Sequence, residues 1–567
     1  MNKKIIHLAV LLCGLFISFQ TNGQTNWGKY TLIAPQNQST AQLLDLNKNV
    51  YHSWTFTGGT TTYSAYLLPG DTLIRSVNHA GNSFTGGPIS GEVQKIDWNG
   101  NVVWDFVYST AAYCTHHDIC PMPNGNVLLI SYEAKTIADA TAAGVSTPIV
   151  MWPDKIVEVQ PTGATTGNIV WEWHAWDHTC QSVDATKANY VTSVSDHPEL
   201  LNVNYKTTKD WMHMNGVDYN AALDQIAFSS HNLNEIYVID HSTTTAEAAS
   251  HAGGNSGKGG DLLYRWGNPA AYGVTTPVAD LNIVHDAHWV PAGCPRAGYL
   301  VGFNNNGQNG ASSYVDMVSP PLVGTTYTMP ASGTAFGPAA YNKRVVCTGH
   351  TSNMGNSQQF PNGNMLICVA LSGLVYEIDS MGNTVWSYQS TGGGGPGGGA
   401  IPQASRYTAC YISGVIPATP TFTANGNVLT ASTASNYQWY FNGGAISGAT
   451  AQTYTATQSG TYQVQALDAI GCGSALSATQ DITLSGVDAI NDLTLLNAYP
   501  NPASNQLSVQ TRLANYTIKL DDINGKTLYC EKNCKSIDLA TYANGLYLLS
   551  IQAEEVGVIT KRIVVLK

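Results

Sequence analysis

A chain that repeats one pair of hairpins along most of its length can bury its apolar faces only by stacking the copies. This sequence carries such a repeat. One half reads apolar–x–apolar–Asp–x–x–Gly–Asn–x–Val–Trp, as in VQKIDWNGNVVWDF from Val93 and VYEIDSMGNTVWSY from Val375. Looser copies are LLDLNKNVYHSW, IVEVQPTGATTGNIVWEW and the pair IYVID and DLLYRW. The other half is a hairpin around PGD, PNG or PAG, seen in YSAYLLPGD, HDICPMPNG, HDAHWVPAG and GNSQQFPNG, each running into an apolar strand. Asn-Gly or Gly-Asn between alternating strands turns the chain back on itself. Four strands per unit, a Trp near the end of the fourth, and a period of roughly 50 to 95 residues predict propeller blades with loop insertions. Counting both halves gives six blades between about Gly28 and Tyr388, the copy near Tyr314 being the weakest. Ring closure should pair the strand near Tyr30 with the last blade, because an open ring leaves two exposed edges.

The chain's 567 residues exceed what one core serves, so further domains are expected. Only 11% of residues are charged, against 55 Gly, 30 Tyr and 13 Trp, the composition of an extracellular all-β protein. A net charge of −12 argues against a nucleic-acid partner, which would need a basic face. MNKK, an apolar run and small residues to Gly23 read as a signal peptide, residues 1–23, and no later segment is long and apolar enough to span a membrane. Export permits disulfides. Cys114 with Cys120 and Cys530 with Cys534 are close enough to pair, while buried free cysteines are the equal alternative.

The fold class is therefore all-β: a six-bladed propeller over 24–390, a Gly/Pro-rich linker over 391–416, and two small β-sandwiches. Residues 417–485, with Trp439 in NYQWYFNG and then SGTYQVQALDAIGC, resemble an immunoglobulin-like sandwich in which Cys472 lacks the usual partner. Residues 495–567 carry Tyr499-Pro500-Asn501-Pro502, Asn524-Gly525-Lys526, Gly545-Leu546-Tyr547 and the tail Lys561 to Lys567. This unit resembles the C-terminal sorting domain of the type IX (Por) secretion system. The resemblance implies that secretion machinery as a partner and a destination outside the cell or at its surface.

His117, His213 and His285 share one register of the repeat, where two further copies hold Tyr63 and Gly355. Residues equivalent by repeat are equivalent by pseudo-rotation, so these imidazoles should face one axial cavity. Around them stand Asp210-Trp211-Met212-His213-Met214-Asn215 with Val217-Asp218-Tyr219, then His285-Asp286-Ala287, then HTSNMGNSQQFPNGNMLI from His350. Over roughly residues 28 to 405 these elements resemble the bacterial arylsulfate sulfotransferase family. The resemblance implies sulfuryl transfer from an aryl sulfate ester to a phenolic acceptor through a sulfohistidine, with no nucleotide donor and no cofactor. Neutral imidazole suits that chemistry, because it escapes the repulsion that sulfate oxygens exert on anionic nucleophiles. By the family's order His350 is the nucleophile, with His213 and His285 as sulfate-binding or acid–base partners and His117 lining the same channel. An arginine of the family pattern is absent from GFNNNGQNGASS. Asn304, Asn305 or Asn306 stand in its place, or Arg344 or Arg406 reaches in from elsewhere.

Other readings bear on the same residues. His231 is placed at the channel mouth, His116 in a crowded polar turn, and His174, His178, His197, His241 and His251 as structural. Converging histidines also suit zinc or copper, though no carboxylate–histidine pair at helical spacing supports it. A non-catalytic propeller that binds glycans or a surface is the alternative function.

Overall fold

A computed structural model of the chain describes residues 28–307, 309–390, 399–484, 495–553 and 557–567. The signal-peptide reading and most of the Gly-rich run lie outside the described residues. Contacts divide the chain into a first unit reaching Ile416 and including Ala469–Gly473, and a second comprising Pro417–Asp468 and Ser474–Lys567.

The first unit is built from six antiparallel four-stranded sheets in succession. Their first strands, among them Thr61–Leu67, Tyr113–Pro121, Met214–Asn220, Val284–Trp289 and Asn356–Gln359, pack against one another from sheet to sheet. The ring closes through a strand from beyond the Gly-rich run. Ala404–Tyr407 pairs antiparallel with Tyr30–Ile33, joining the end of the unit to its beginning. That strand falls inside the stretch read as linker. Its polar sequence hid it, because its buried arginine, Arg406, is neutralised by Glu377 of the sixth sheet and donates to Thr31 Oγ1 of the first at 3.0 Å.

The recurring sequence pattern has a physical cause at each position. In the Asp–x–x–Gly–Asn turn, Asp97 accepts from the Asn101 backbone at 2.7 Å and its side chain at 2.8 Å, and Asp379 accepts likewise from Asn383 at 2.9 and 3.0 Å. Gly100 and Gly382 hold φ of 88° and 90°, which a Cβ would penalise. In five of the six sheets a Trp of the outer strand spans to the next sheet. The indole of Trp54 donates to Asp97 O, that of Trp104 to Thr166 O, that of Trp171 to Thr243 Oγ1, that of Trp266 to Pro338 O, and that of Trp386 back to Leu46 O. The fifth sheet, the weakest copy in sequence, ends on Lys343–Val346 and has no such Trp.

The second unit holds two sandwiches. One packs Trp439, Tyr462, Val464 and Leu429 between a three-stranded and a four-stranded sheet. The other packs Leu507, Ile518, Leu549, Ile551 and Ile563 the same way. The disulfide in the structure joins Cys410 to Cys472, both within the first unit. Cys114, Cys120, Cys530 and Cys534 are free thiols, so neither pairing suggested by sequence proximity forms.

Candidate functional site

The site grows from irregularities in the first strands of the sheets. Ladder register shifts between Thr115 and Ile119, between Met214 and Gly216, and between His285 and His288. A bulge bends its strand and re-aims the side chain it carries. His117 and His213 sit at φ of 52° and 55°, a left-handed conformation that costs a β-carbon-bearing residue about 1 kcal/mol or more. At these points the chain gives up local stability to point imidazoles at the axis.

Four histidines, His117, His213, His231 and His285, line one cavity of about 520 Å³. Its wall also includes Asn37, Asn78, Asn353, Ile89, Met354 and Leu371, and neither Lys nor Arg. Ring centroids run 4.5 Å from His117 to His213, 4.9 Å on to His231 and 5.7 Å on to His285. Tyr63, the register's occupant in the second sheet, sets its ring 5.2 Å from His117.

Each imidazole is anchored through Nδ1. Asp210 Oδ2 accepts from His213 Nδ1 at 2.6 Å and from the Tyr132 hydroxyl at 3.0 Å. Asn305 Oδ1 accepts from His285 Nδ1 at 2.6 Å, while His285 Nε2 accepts from the Met354 N–H at 3.2 Å. His231 Nδ1 meets Asn232 Oδ1 at 2.9 Å. His117 Nδ1 meets His116 Nδ1 at 2.8 Å, and His116 Nε2 meets Asp154 Oδ1 at 2.7 Å. Asp154 in turn accepts from the Met214 N–H at 3.1 Å. For His117, His213 and His231 this leaves Nε2 as the ring nitrogen available to a ligand.

Burial sets the charge states. It pushes the imidazoles of His116, His117 and His285 well below their ordinary pKa, and the neighbouring histidines push His117 and His285 further. Burial brings His231 down to about 4, aided by the charge of His213. Asp154 is driven well up by burial and by Asp210. Asp210 is itself desolvated, yet its hydrogen bond and charge interaction with His213 hold its carboxyl below the usual range. The cavity therefore offers neutral imidazoles at His117, His231 and His285, beside His213, which is backed by a carboxylate.

The structure brings together His117, His213 and His285 as the shared register requires, and adds His231 beside them. It does not bring in His350, which is exposed on its loop with Nε2 3.0 Å from Asn306 Oδ1 and takes no part in the cavity wall. Asn304 is buried among Asp280 O, Asp316 Oδ2 and the Asn282 and Gly307 N–H groups. Asn305 positions His285 from behind, and Arg344 is bound through both Nε and Nη2 to Asp316 at 2.6 Å. Arg406 is held by Glu377. None of the residues named as substitutes for the absent arginine lines the cavity. The amides that do are Gln36, Asn37, Asn78 and Asn353; Asn353 lies in the stretch HTSNMGNSQQFPNGNMLI, and the other three share no motif that marks them. His116 was visible only as a neighbour of His117. Its partner Asp154 stands on another strand of the same sheet, 38 residues away.

The family model for arylsulfotransferase matches residues 54–252, a span holding His117, His213 and His231 but not His285 or His350. The model for the secretion system C-terminal sorting domain matches residues 497–566. No curated protein matches the chain. Among solved structures, it is similar to a protein of unknown function from Bacteroides caccae, at 11% identity and a TM-score of 0.37 over 67% of this chain and 98% of that one. It is also similar to a streptogramin B lyase, at 10% identity and a TM-score of 0.30 over 64% and 83%. Residues 54–252 thus match the arylsulfotransferase family, and residues 497–566 match a sorting domain that directs a chain through the type IX system to the cell surface or beyond.

Proposed function

We propose that the four-histidine cavity moves a sulfuryl group from an aryl sulfate ester to a phenolic acceptor through a sulfohistidine on His213. The observation that carries this reading is the Asp210–His213 contact of 2.6 Å at the wall of a cavity shared with the neutral imidazoles of His117, His231 and His285. Asp210 fixes the proton of His213 on Nδ1, leaving the Nε2 lone pair as nucleophile, and stabilises the positive ring that forms when it attacks. The N–S bond forms as the S–O bond to the phenol breaks. The cavity's volume is in the range that encloses a small organic ligand. Its amides supply donors for sulfuryl oxygens.

The departing phenolate needs a proton, and His117 can give one without being left as an imidazolate anion. With a proton on Asp154, His116 Nδ1–H donates to His117 Nδ1 and His117 carries its proton on Nε2. Giving that proton to the phenolate draws one proton along each link, leaving Asp154 as the carboxylate. Attack of an acceptor phenol on the sulfohistidine reverses every transfer. The elevated affinity of Asp154 for its proton favours the loaded state.

The test is release of p-nitrophenol from p-nitrophenyl sulfate by the purified secreted chain, with and without phenol. Turnover that rises with phenol and disappears in His213→Ala supports the reading. The absence of Lys and Arg from the wall favours a second reading, a cavity that binds an uncharged glycan without reacting. Glycan binding with no turnover of any aryl sulfate would establish that one instead.

A further inference from the structure

Outside the cavity, two loops of the first unit meet around a different pair of histidines. His178 ends the turn Ala175–His178, and His251 and Asp261 lie in the Gly/Ser-rich loop after the helix Thr245–Ala248. His178 Nδ1 lies 2.9 Å and His251 Nδ1 2.7 Å from the same oxygen, Asp261 Oδ1. The two rings are perpendicular, at 89°, so their nitrogens converge on that oxygen from different sides.

The protons on His178 make this contact informative. Its Nε2 is 2.8 Å from the carbonyl oxygen of Ala248, which can only accept, so Nε2 carries a proton. In the neutral ring Nδ1 is then a lone pair aimed at a carboxylate oxygen. Such an approach requires a second proton on a fully buried ring, a proton on Asp261, or a cation among the three atoms. The surroundings hold the ring rigidly. It stacks on Trp173 at 5.5 Å and 2°, and the Trp173 indole donates to Gly260 O at 2.7 Å. A Cβ on Gly260 would fall 2.0 Å from Ala248 O and 2.6 Å from His178 Nε2. One on Gly259 would fall 2.2 Å from Ser250 O. The glycines of this loop allow it to close on the histidine, a role beyond that of a surface linker.

We propose that His178, His251 and Asp261 bind a divalent transition-metal ion of the zinc class. Two imidazole nitrogens and one carboxylate oxygen, all within 4.8 Å of one another, suit such an ion, whereas calcium and magnesium require oxygen ligands. Bonds of about 2.0–2.2 Å need the three atoms to spread by a few tenths of an ångström. The His251 side chain is 62% exposed, which leaves a fourth position open to water. Binding displaces the proton shared by His178 Nδ1 and Asp261 Oδ1 into solvent, while His251 keeps its single proton on Nε2. The ion pins the loop after the third sheet to the loop before the last strand of the fourth.

The experiment titrates Co²⁺, whose visible absorption reports a four-coordinate nitrogen and oxygen site, into chelator-treated full-length secreted chain, with zinc content measured in parallel. One equivalent should bind per chain. His251→Ala and Asp261→Asn should each raise Kd by about 100-fold or more, beyond what loss of an outer-sphere partner costs. Zinc should raise the melting temperature of the wild type by about 3 °C or more and leave that of His251→Ala unchanged. Because His251 is exposed, its variant tests the site without threatening the fold. Lack of stoichiometric metal in the wild type would overturn the proposal in favour of a proton held between His178 and Asp261. So would binding that survives both variants but vanishes in His213→Ala or His231→Ala, which would place the metal in the cavity.

Discussion

Each cavity imidazole is anchored through Nδ1, and for His117, His213 and His231 the partner of that nitrogen decides what Nε2 can do. His213 faces a carboxylate, His231 and His285 face amides, and His117 faces another imidazole. This ordering assigns different losses to different substitutions. His213→Ala should lower turnover of an aryl sulfate by about 100-fold or more, and Asp210→Asn by a comparable factor, since the amide no longer fixes the tautomer. His350→Ala should leave turnover within about twofold of wild type, because a change distant from the reacting atoms removes no transition-state contact. Asp154→Asn should slow esters of poorly acidic phenols by about 100-fold while sparing p-nitrophenyl sulfate, whose leaving group needs no acid. Initial rates across a series of substituted phenyl sulfates read this directly. His231 should stay neutral far into acid, with a ring-nitrogen NMR titration centred near pH 4 in place of 6.5. The register made His117, His213 and His285 legible in the sequence. It could not place His350, because a residue five positions before the aligned strand depends on how its loop folds back.

At the scale of single elements, short repeated devices carry the sheets. The Asp97–Asn101 clasp satisfies a turn whose glycine has a left-handed φ of 88°. Gly100→Ala should destabilise the first unit by about 1 kcal/mol, measured by denaturant unfolding. The D–x–x–G–N pattern and the terminal Trp were legible because each solves its problem locally or one sheet away. A charged cluster in the third sheet was not. His174 bonds Glu133 at 3.0 Å and Glu172 at 3.3 Å, partners 41 and 2 residues away. Burial lowers the His174 pKa, but hydrogen bonds and charge from the two carboxylates outweigh it and raise it to about 9. A pKa raised above its unfolded value gives stability that is complete below about pH 6.5 and is lost as pH rises through about 9. The stability difference between wild type and His174→Gln should follow that course. A difference that instead grows with pH would mean that the carboxylates do not hold the imidazolium.

For the whole first unit, the determining contact is the pairing of Ala404–Tyr407 with Tyr30–Ile33. Truncation after Thr483 keeps that strand and both disulfide cysteines, so it should leave a cooperatively unfolding propeller whose secretion by the host is lost with the sorting domain. Truncation before Ala404 leaves the first sheet without its first strand, and it should lower the melting temperature by about 10 °C or abolish cooperative unfolding. Repeat counting reached the hairpins of the sheets because the clear copies state their own. It missed the closing strand and the Cys410–Cys472 bridge because each joins segments far apart in the chain that belong to no repeat. The central claim is that the axial cavity takes the sulfuryl group onto His213, and trapping that group tests it most directly. The chain would be mixed with an aryl sulfate alone, digested under alkaline conditions that spare N-sulfonated imidazole, and its peptides mapped by mass spectrometry. The account requires one sulfuryl group on the peptide containing His213, absent from His213→Ala and discharged by added phenol. Label on His350, or no label while phenol release continues, would contradict it.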